Sequence, residues 1–347
     1  MGLGMFLNIG FSHEYWNREY GFDFGRGTYF DPAVKYEQQC RMEDILFRRY
    51  GKYGFLDGIK TMGTQSKPTL AVEPFGHRFV PAMFGAGVEY KCDQAPWAVH
   101  RDLSDGEVRA LEPMTVDRFH KNPLVREIIS QCDLLKKRGV VCSAQQIMGS
   151  AVNTIIYLRG MDMFYDFYER PDVIRRLIER ITDVLLTAYG YFAEYDGFLN
   201  EMGVGNCAVA MLSPDIYERF FRPADMRIME RARELGVPYH IHQDSRVDAF
   251  FPSYRAFDYL HGLDVGDDTD MGLFRETFPN LKLNVFVYTA TLQRMTADEL
   301  YKWLIGIAGK AKPFDKVGFS AYDIDGGVPE GNAVALCEAY KYLKEME

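Results

Sequence analysis

From about residue 65 to the C-terminus, short apolar runs of strand length alternate with longer amphipathic stretches. The runs fall at 70–74, 140–144, 197–202, 238–242, 259–265, 281–287 and 317–322. Between them, apolar residues recur with helical spacing over 172–193, 214–235, 298–308 and 333–345. Strand-then-helix repetition of this kind predicts parallel strands joined by helical crossovers. Helix ends are signalled too. Ser213-Pro214 offers an N-cap and a proline at the first helical position, and Thr296-Ala-Asp-Glu299 reads as a capping box. Gly139 and Gly236 stand where a helix C-cap belongs. Seven strands are plain. An eighth is expected in the irregular stretch 74–140, and the first 60 residues are expected to form an N-terminal helical extension.

No Gly/Ser linker or low-complexity block divides the chain. The expected fold is therefore one α/β domain over residues 1–347, a (β/α)8 TIM barrel. A doubly wound sheet would carry a glycine-rich phosphate loop after an early strand, and neither GxGxxG nor GxxxxGK[ST] occurs in such a place. The chain is 47% hydrophobic and 14% aromatic, enough for a large core, and its net charge of −9 argues against nucleic acid as a partner. Its six cysteines are scattered without a CxxC, as in reduced intracellular proteins. The first residues lack the basic and apolar regions of a signal peptide, and no run is long enough to span a membrane. A cytoplasmic location is expected.

In a parallel barrel, chemistry sits at the C-terminal ends of strands. His240 and His242 end one strand two residues apart, so both imidazoles share a face and could ligate a metal such as zinc. The plain alternative is two histidines satisfied by core hydrogen bonds. Glu201 ends the 197–202 run beside Gly203 and Gly205 and suits a ligand or a base. Asp323 and Asp325 end the last run and would share a face if the strand continued. Gln145, Gln146, Asn284, Tyr288 and Tyr322 are further strand-end groups suited to substrate hydrogen bonding. His13, His77, His100 and His120, in the less regular N-terminal part, are read as structural.

Four stretches, taken in order, resemble the uroporphyrinogen decarboxylase superfamily over most of the chain from residue 139. They are Val141-Cys-Ser-Ala with Tyr157-Leu-Arg-Gly-Met161 and Asp166-Phe-Tyr-Glu-Arg-Pro171; Leu212-Ser-Pro-Asp-Ile-Tyr-Glu218 with Arg222-Pro223; His240-Ile-His-Gln; and Gly318-Phe-Ser-Ala-Tyr-Asp-Ile-Asp325. The resemblance implies a (β/α)8 barrel. The basic N-terminal motif with which the decarboxylases hold porphyrinogen propionates is missing. The other large branch contains zinc-dependent methyltransferases that work with corrinoid proteins, and Pro81, Phe84-Gly-Ala-Gly-Val-Glu89 and Asp93-Gln-Ala-Pro-Trp97 are similar to its demethylating members. In the coenzyme M enzymes of this branch the zinc ligands are the His and Cys of an H-x-C strand end and a Cys of the last strand. Carried over, these imply His240, His242 and Asp325, with Glu201 as an extra ligand and no thiolate in the set.

The function implied is transfer of a methyl group from a methyl ether, such as an aromatic methoxy compound, to the Co(I) corrinoid of a partner protein, assisted by zinc. Glu201, His240 and Asp325 are the implied catalytic groups. The partners are a small-molecule methyl donor and a cobalamin-binding corrinoid protein, with a homodimer left open. The alternative is a metal-independent decarboxylase of a small aromatic or heterocyclic acid.

Overall fold

The computed structural model describes residues 5–54, 70–146 and 149–346. Eight strands run parallel: β1 (Phe6–Phe11), β2 (Leu70–Ala71), β3 (Cys142–Ser143), β4 (Met202–Gly205), β5 (Tyr239–His242), β6 (Leu260–Gly266), β7 (Lys282–Phe286) and β8 (Val317–Ile324). Six form one sheet in the order β1-β8-β7-β6-β5-β4, and β2 pairs with β3 in a second. Pairing of the first strand with the last is what curls such a sheet. A short antiparallel hairpin, Val88–Glu89 with Trp97–Ala98, lies outside both ladders. Among the described residues no helix is long and apolar enough to cross a membrane.

The helices follow from their sequence. In the helix Pro171–Asp196, buried Val173, Ile174, Leu177, Ile178, Ile181, Val184, Leu185, Ala188 and Phe192 recur every three or four residues, a stripe that packs against neighbouring helices. It ends where Gly197 turns left-handed with φ 77°, a conformation that costs a residue with a Cβ. The predicted capping box closes the start of the helix Ala297–Lys310, and Gly236 caps the helix Arg222–Leu235. The run expected as one helix over 214–235 is interrupted by a π-turn at Tyr217–Phe221. Pro223 follows one residue beyond it, and a proline lacks the N–H that a regular helix needs there.

Three expectations are corrected. The eighth strand does not lie within 74–140; it is β1, near the N-terminus. The first 60 residues are therefore no mere helical extension, although the helices His13–Tyr20, Arg26–Phe30 and Pro32–Tyr50 do follow β1. Residues 1–4 and 55–60 of that expectation lie outside the described residues. β1 was hidden because its short alternating run, Phe-Leu-Asn-Ile-Gly-Phe, is followed by helix without the turn signals that bound the other strands. Third, the 197–202 run is mostly connection: Gly197 caps a helix, and β4 begins only at Met202.

The two ladders part between β3 and β4, and the helix Pro171–Asp196 supplies the missing partners. The Tyr189 hydroxyl donates to the Gly203 carbonyl (2.7 Å) and accepts from the Gly203 N–H (3.1 Å). Asp196 accepts from the Ala144 N–H (2.9 Å) and the Ser143 hydroxyl (2.7 Å). Side chains thus take the place of ladder bonds that a backbone inside a sheet cannot forgo. Tyr189→Phe should strand both Gly203 groups and lower the unfolding free energy by about 1–3 kcal/mol. An unchanged urea midpoint would show that water satisfies Gly203 equally well.

Candidate active site

The inward-facing positions of β5 and β6 carry the most concentrated chemistry. His240 and His242 alternate with buried Tyr239 and Ile241, and β6 presents Gly262, Asp264 and Gly266 on the same side. The Asp264 carboxylate joins the two imidazoles: one oxygen is 2.7 Å from His240 Nε2, the other 2.7 Å from His242 Nδ1. Burial alone would raise the Asp264 pKa, but the two histidines outweigh it and hold it down to about 2. Burial also opposes charge on His242, yet hydrogen bonds to Asp264 and Cys207 lift it to about 10. His240 moves upward for the same reason, with Asp264 overcoming desolvation.

Glycines make room for this arrangement. A Cβ on Gly262 would come within 2.4 Å of His240 Nδ1, and one on Gly203 within 2.5 Å of the His240 carbonyl oxygen. Phe286 of β7 stands edge-on to His242 at 4.8 Å and tilts against Tyr322 at 5.5 Å. Deeper in, the Asn8 side chain donates to the Ser320 hydroxyl (3.4 Å), which donates to the side-chain oxygen of Asn284 (3.0 Å). This polar layer crosses β1, β8 and β7.

β4 ends beside the histidines. The Asn206 N–H donates to the His242 carbonyl (2.7 Å), and the next residue is Cys207. The Cys207 thiol, a ring nitrogen of His242 and a carboxylate oxygen of Asp244 lie within 4.8 Å of one another. With Nδ1 engaged by Asp264, Nε2 is the nitrogen left for a metal. A thiolate, an imidazole and a carboxylate suit zinc, and a carboxylate behind the ligating histidine is the usual device for fixing its orientation.

The residues expected from sequence are therefore only partly brought together. Among the described residues, Glu201 and Asp325 do not join His242 as donors. Glu201 precedes β4 instead of ending it, so it stands below His240 and acts on that ring only through its charge. Asp325 is turned away by a bulge: Ile9 pairs with Ala321 but Phe11 with Ile324, leaving one extra residue in β8, and Asp323 takes φ 56°. The face that Asp323 and Asp325 were expected to share is lost. Asp325 accepts from Gln293 (3.1 Å) and the Gly327 N–H (2.8 Å). Gln145 is bound to the Phe198 carbonyl (2.9 Å), and Gln146 is buried between the Val72 (2.8 Å) and Ala144 (2.7 Å) carbonyls. Tyr288 donates to Asp268 (2.9 Å), while Tyr322 remains open to solvent.

Sequence reasoning passed over Cys207, Asp244 and Asp264, and read His77 as structural. Asp264 did leave a signal, as the one charged residue in the run Leu-His-Gly-Leu-Asp-Val-Gly. The donor set implied by sequence held no thiol; in the structure the Cys207 thiol lies beside His242, on a residue adjacent to a strand end but distant in sequence from the histidines. His77 follows β2. Desolvation lowers its pKa against the pull of Glu73, and Arg78 and His242 push the same way. His13 opens the helix after β1 and contacts the Tyr29 hydroxyl (3.2 Å); burial first, then Lys35 and His77, drop it to about 4.

The family model for uroporphyrinogen decarboxylase (URO-D) matches residues 67–286, which include β2 to β7 together with Cys207, His240, His242, Asp244 and Asp264. The chain belongs to the uroporphyrinogen decarboxylase family. Within known structures it is similar to a methyltransferase from Methanosarcina mazei, with a TM-score of 0.70 and 11% identity over 99% of this chain and 95% of that one. It is also similar to a B12-independent methionine synthase from Shewanella sp. W3-18-1, solved in complex with selenomethionine, with a TM-score of 0.50 and 13% identity over 89% of each chain. At such identities the likeness is one of fold. No curated protein matches the sequence.

Two outcomes test how this family member holds its cluster. Gly262→Ala should displace His240 and destabilise the protein by about 1–3 kcal/mol through overpacking, with loss of the shared His240–Asp264 proton signal in NMR. A retained signal would mean that the strand adjusts instead. Below Asn206, buried Asp225 accepts from Asn206 (2.7 Å) and Tyr217 (2.9 Å), and burial pushes it up to about 7 despite them. An unfolded aspartate titrates near ~4. Between those values the native state holds the extra proton, so stability falls as pH rises from about 4 through about 7. Asp225→Asn should flatten that part of the curve, and parallel curves for the two proteins would refute the assignment.

Proposed function

We propose that this protein is a methyltransferase moving a methyl group from a methyl ether, in the first instance an aromatic methoxy compound, to the Co(I) corrinoid of a partner protein. The observation that carries the reading is the Cys207, His242 and Asp244 donor set at the C-terminal ends of β4 and β5, with Asp264 behind the histidine. The fold likeness supports it, since the two neighbours are by name a methyltransferase and a methionine synthase. In this reading the two ladders are arcs of one eight-stranded barrel, and the site occupies its mouth.

An ether oxygen is a poor leaving group and needs a proton or a Lewis acid as the carbon is attacked. Cys207, His242 and Asp244 would hold zinc, which supplies the Lewis acidity. His240 is a positioning residue: its Nε2 is bound to Asp264 and its Nδ1 lies against Gly262, so it fixes the carboxylate that fixes His242. Phe286 and Tyr322 form an aromatic wall for a methoxyarene ring. Trp97, Met161 and Met211, exposed on segments following β2, β3 and β4, offer apolar area for a docking corrinoid protein, whose arrival would exclude water from the site.

Mixing the zinc-loaded protein with a methoxyarene and a Co(I) corrinoid protein should convert the cobalt to its methylated form, followed by its absorption spectrum. Failure across a panel of methyl ethers would sink the reading. Cys207→Ala and His242→Ala should each lose bound zinc by elemental analysis, and Asp264→Asn should weaken zinc binding about 10–100-fold. A metal-free preparation that releases CO2 from a small aromatic acid would replace this reading with the decarboxylase one.

A further inference from the structure

Beside this site stands a cation with no anion paired to it among the described residues. Arg78 follows β2 in the turn Gly76–Arg78, where Gly76 takes φ 51° and packs under Pro96 of the hairpin. The Arg78 guanidinium lies 4.8 Å from the ring centre of Trp97 and 5.0 Å from that of Tyr157. The two rings are 6.0 Å apart and nearly perpendicular, forming a corner. Arg78 Nε is buried with no hydrogen-bond partner, and no carboxylate among the described residues pairs with the guanidinium. The helix Ala151–Arg159, which carries Tyr157, meets the residue after Cys207: the Ala208 N–H donates to the Asn153 side chain (2.8 Å). The corner therefore adjoins the donor set.

A guanidinium over aromatic faces gains cation–π attraction but keeps its in-plane N–H groups for an acceptor. A bidentate carboxylate is the group that matches the terminal N–H groups of such a fork. Trp97, half of its surface still exposed at 56%, gives a planar ligand a face on which to stack. We infer that Arg78, Trp97 and Tyr157 form a binding site for the carboxylate of a planar aromatic acid. Resting on the methyltransferase reading, this makes the methyl donor a methoxy-substituted aromatic acid rather than a neutral methoxyarene.

Calorimetric titration of the zinc-loaded protein with 4-methoxybenzoate and with its neutral amide tests the site without cobalt. The acid should bind about tenfold or more tightly than the amide. Arg78→Gln should remove that preference while leaving amide affinity and zinc content unchanged. Equal binding of acid and amide by the unaltered protein would overturn the inference whether or not the variant folds, as would a variant that keeps the preference. Acid binding through Arg78 without methyl transfer would retain this site and remove the methyltransferase reading. Transfer from neutral methoxyarenes with no dependence on Arg78 would do the reverse.

Discussion

One carboxylate organises the centre of this protein. Asp264 sits where two imidazoles converge, and the three side chains share their protons and charge over two bonds of 2.7 Å. A buried carboxylate without partners would take up a proton, and buried imidazoles would lose theirs. Together they stay ionised. That requirement fixes the register of β5 against β6, and a one-residue slip would turn the histidines out of the cluster. It also demands glycine at 262, where any larger residue would occupy the space of the His240 ring.

From that anchor the geometry extends outward. Asp264 sets the ring of His242, and the backbone of β5 binds Asn206, which sets the start of the Cys207 turn. Asn206 is itself held by Asp225 and, through it, by Tyr217. Cys207 thus reaches His242 through the fold of β4 rather than through nearness in sequence. The same strand is secured on its other edge by Tyr189, so the seam between the two ladders and the donor set beside it depend on one crossover helix.

Across the site, the wall made after β2 and β3 differs in character. It carries Arg78, His77, Trp97 and Tyr157, cationic and aromatic groups in a protein of net charge −9. The donor set and Asp264 supply carboxylates, and this wall supplies a cation. A ligand bound between them would meet a polarised environment of the kind that discriminates strongly by charge.

Periodicity made most of the fold legible. Parallel strands, helical crossovers, the capping box at Thr296 and the left-handed cap at Gly236 are local properties, written in residues a few positions apart. The two histidines were legible as well, because alternation in a strand is fixed by the backbone. What sequence misplaced depended on contacts it does not contain. β1 is stabilised by pairing with β8, more than 300 positions away, and Glu201 fell below the site because a glycine cap, not a strand, occupies 197. The bulge in β8 turned Asp325 aside, and Cys207 and Asp264 came beside His242, and Arg78 beside Trp97 and Tyr157, only when separate strand ends were brought together. The sequence by itself determined which elements form and which way their residues alternate; the tertiary structure decided which strand ends meet, and therefore which side chains share a proton or could share a metal.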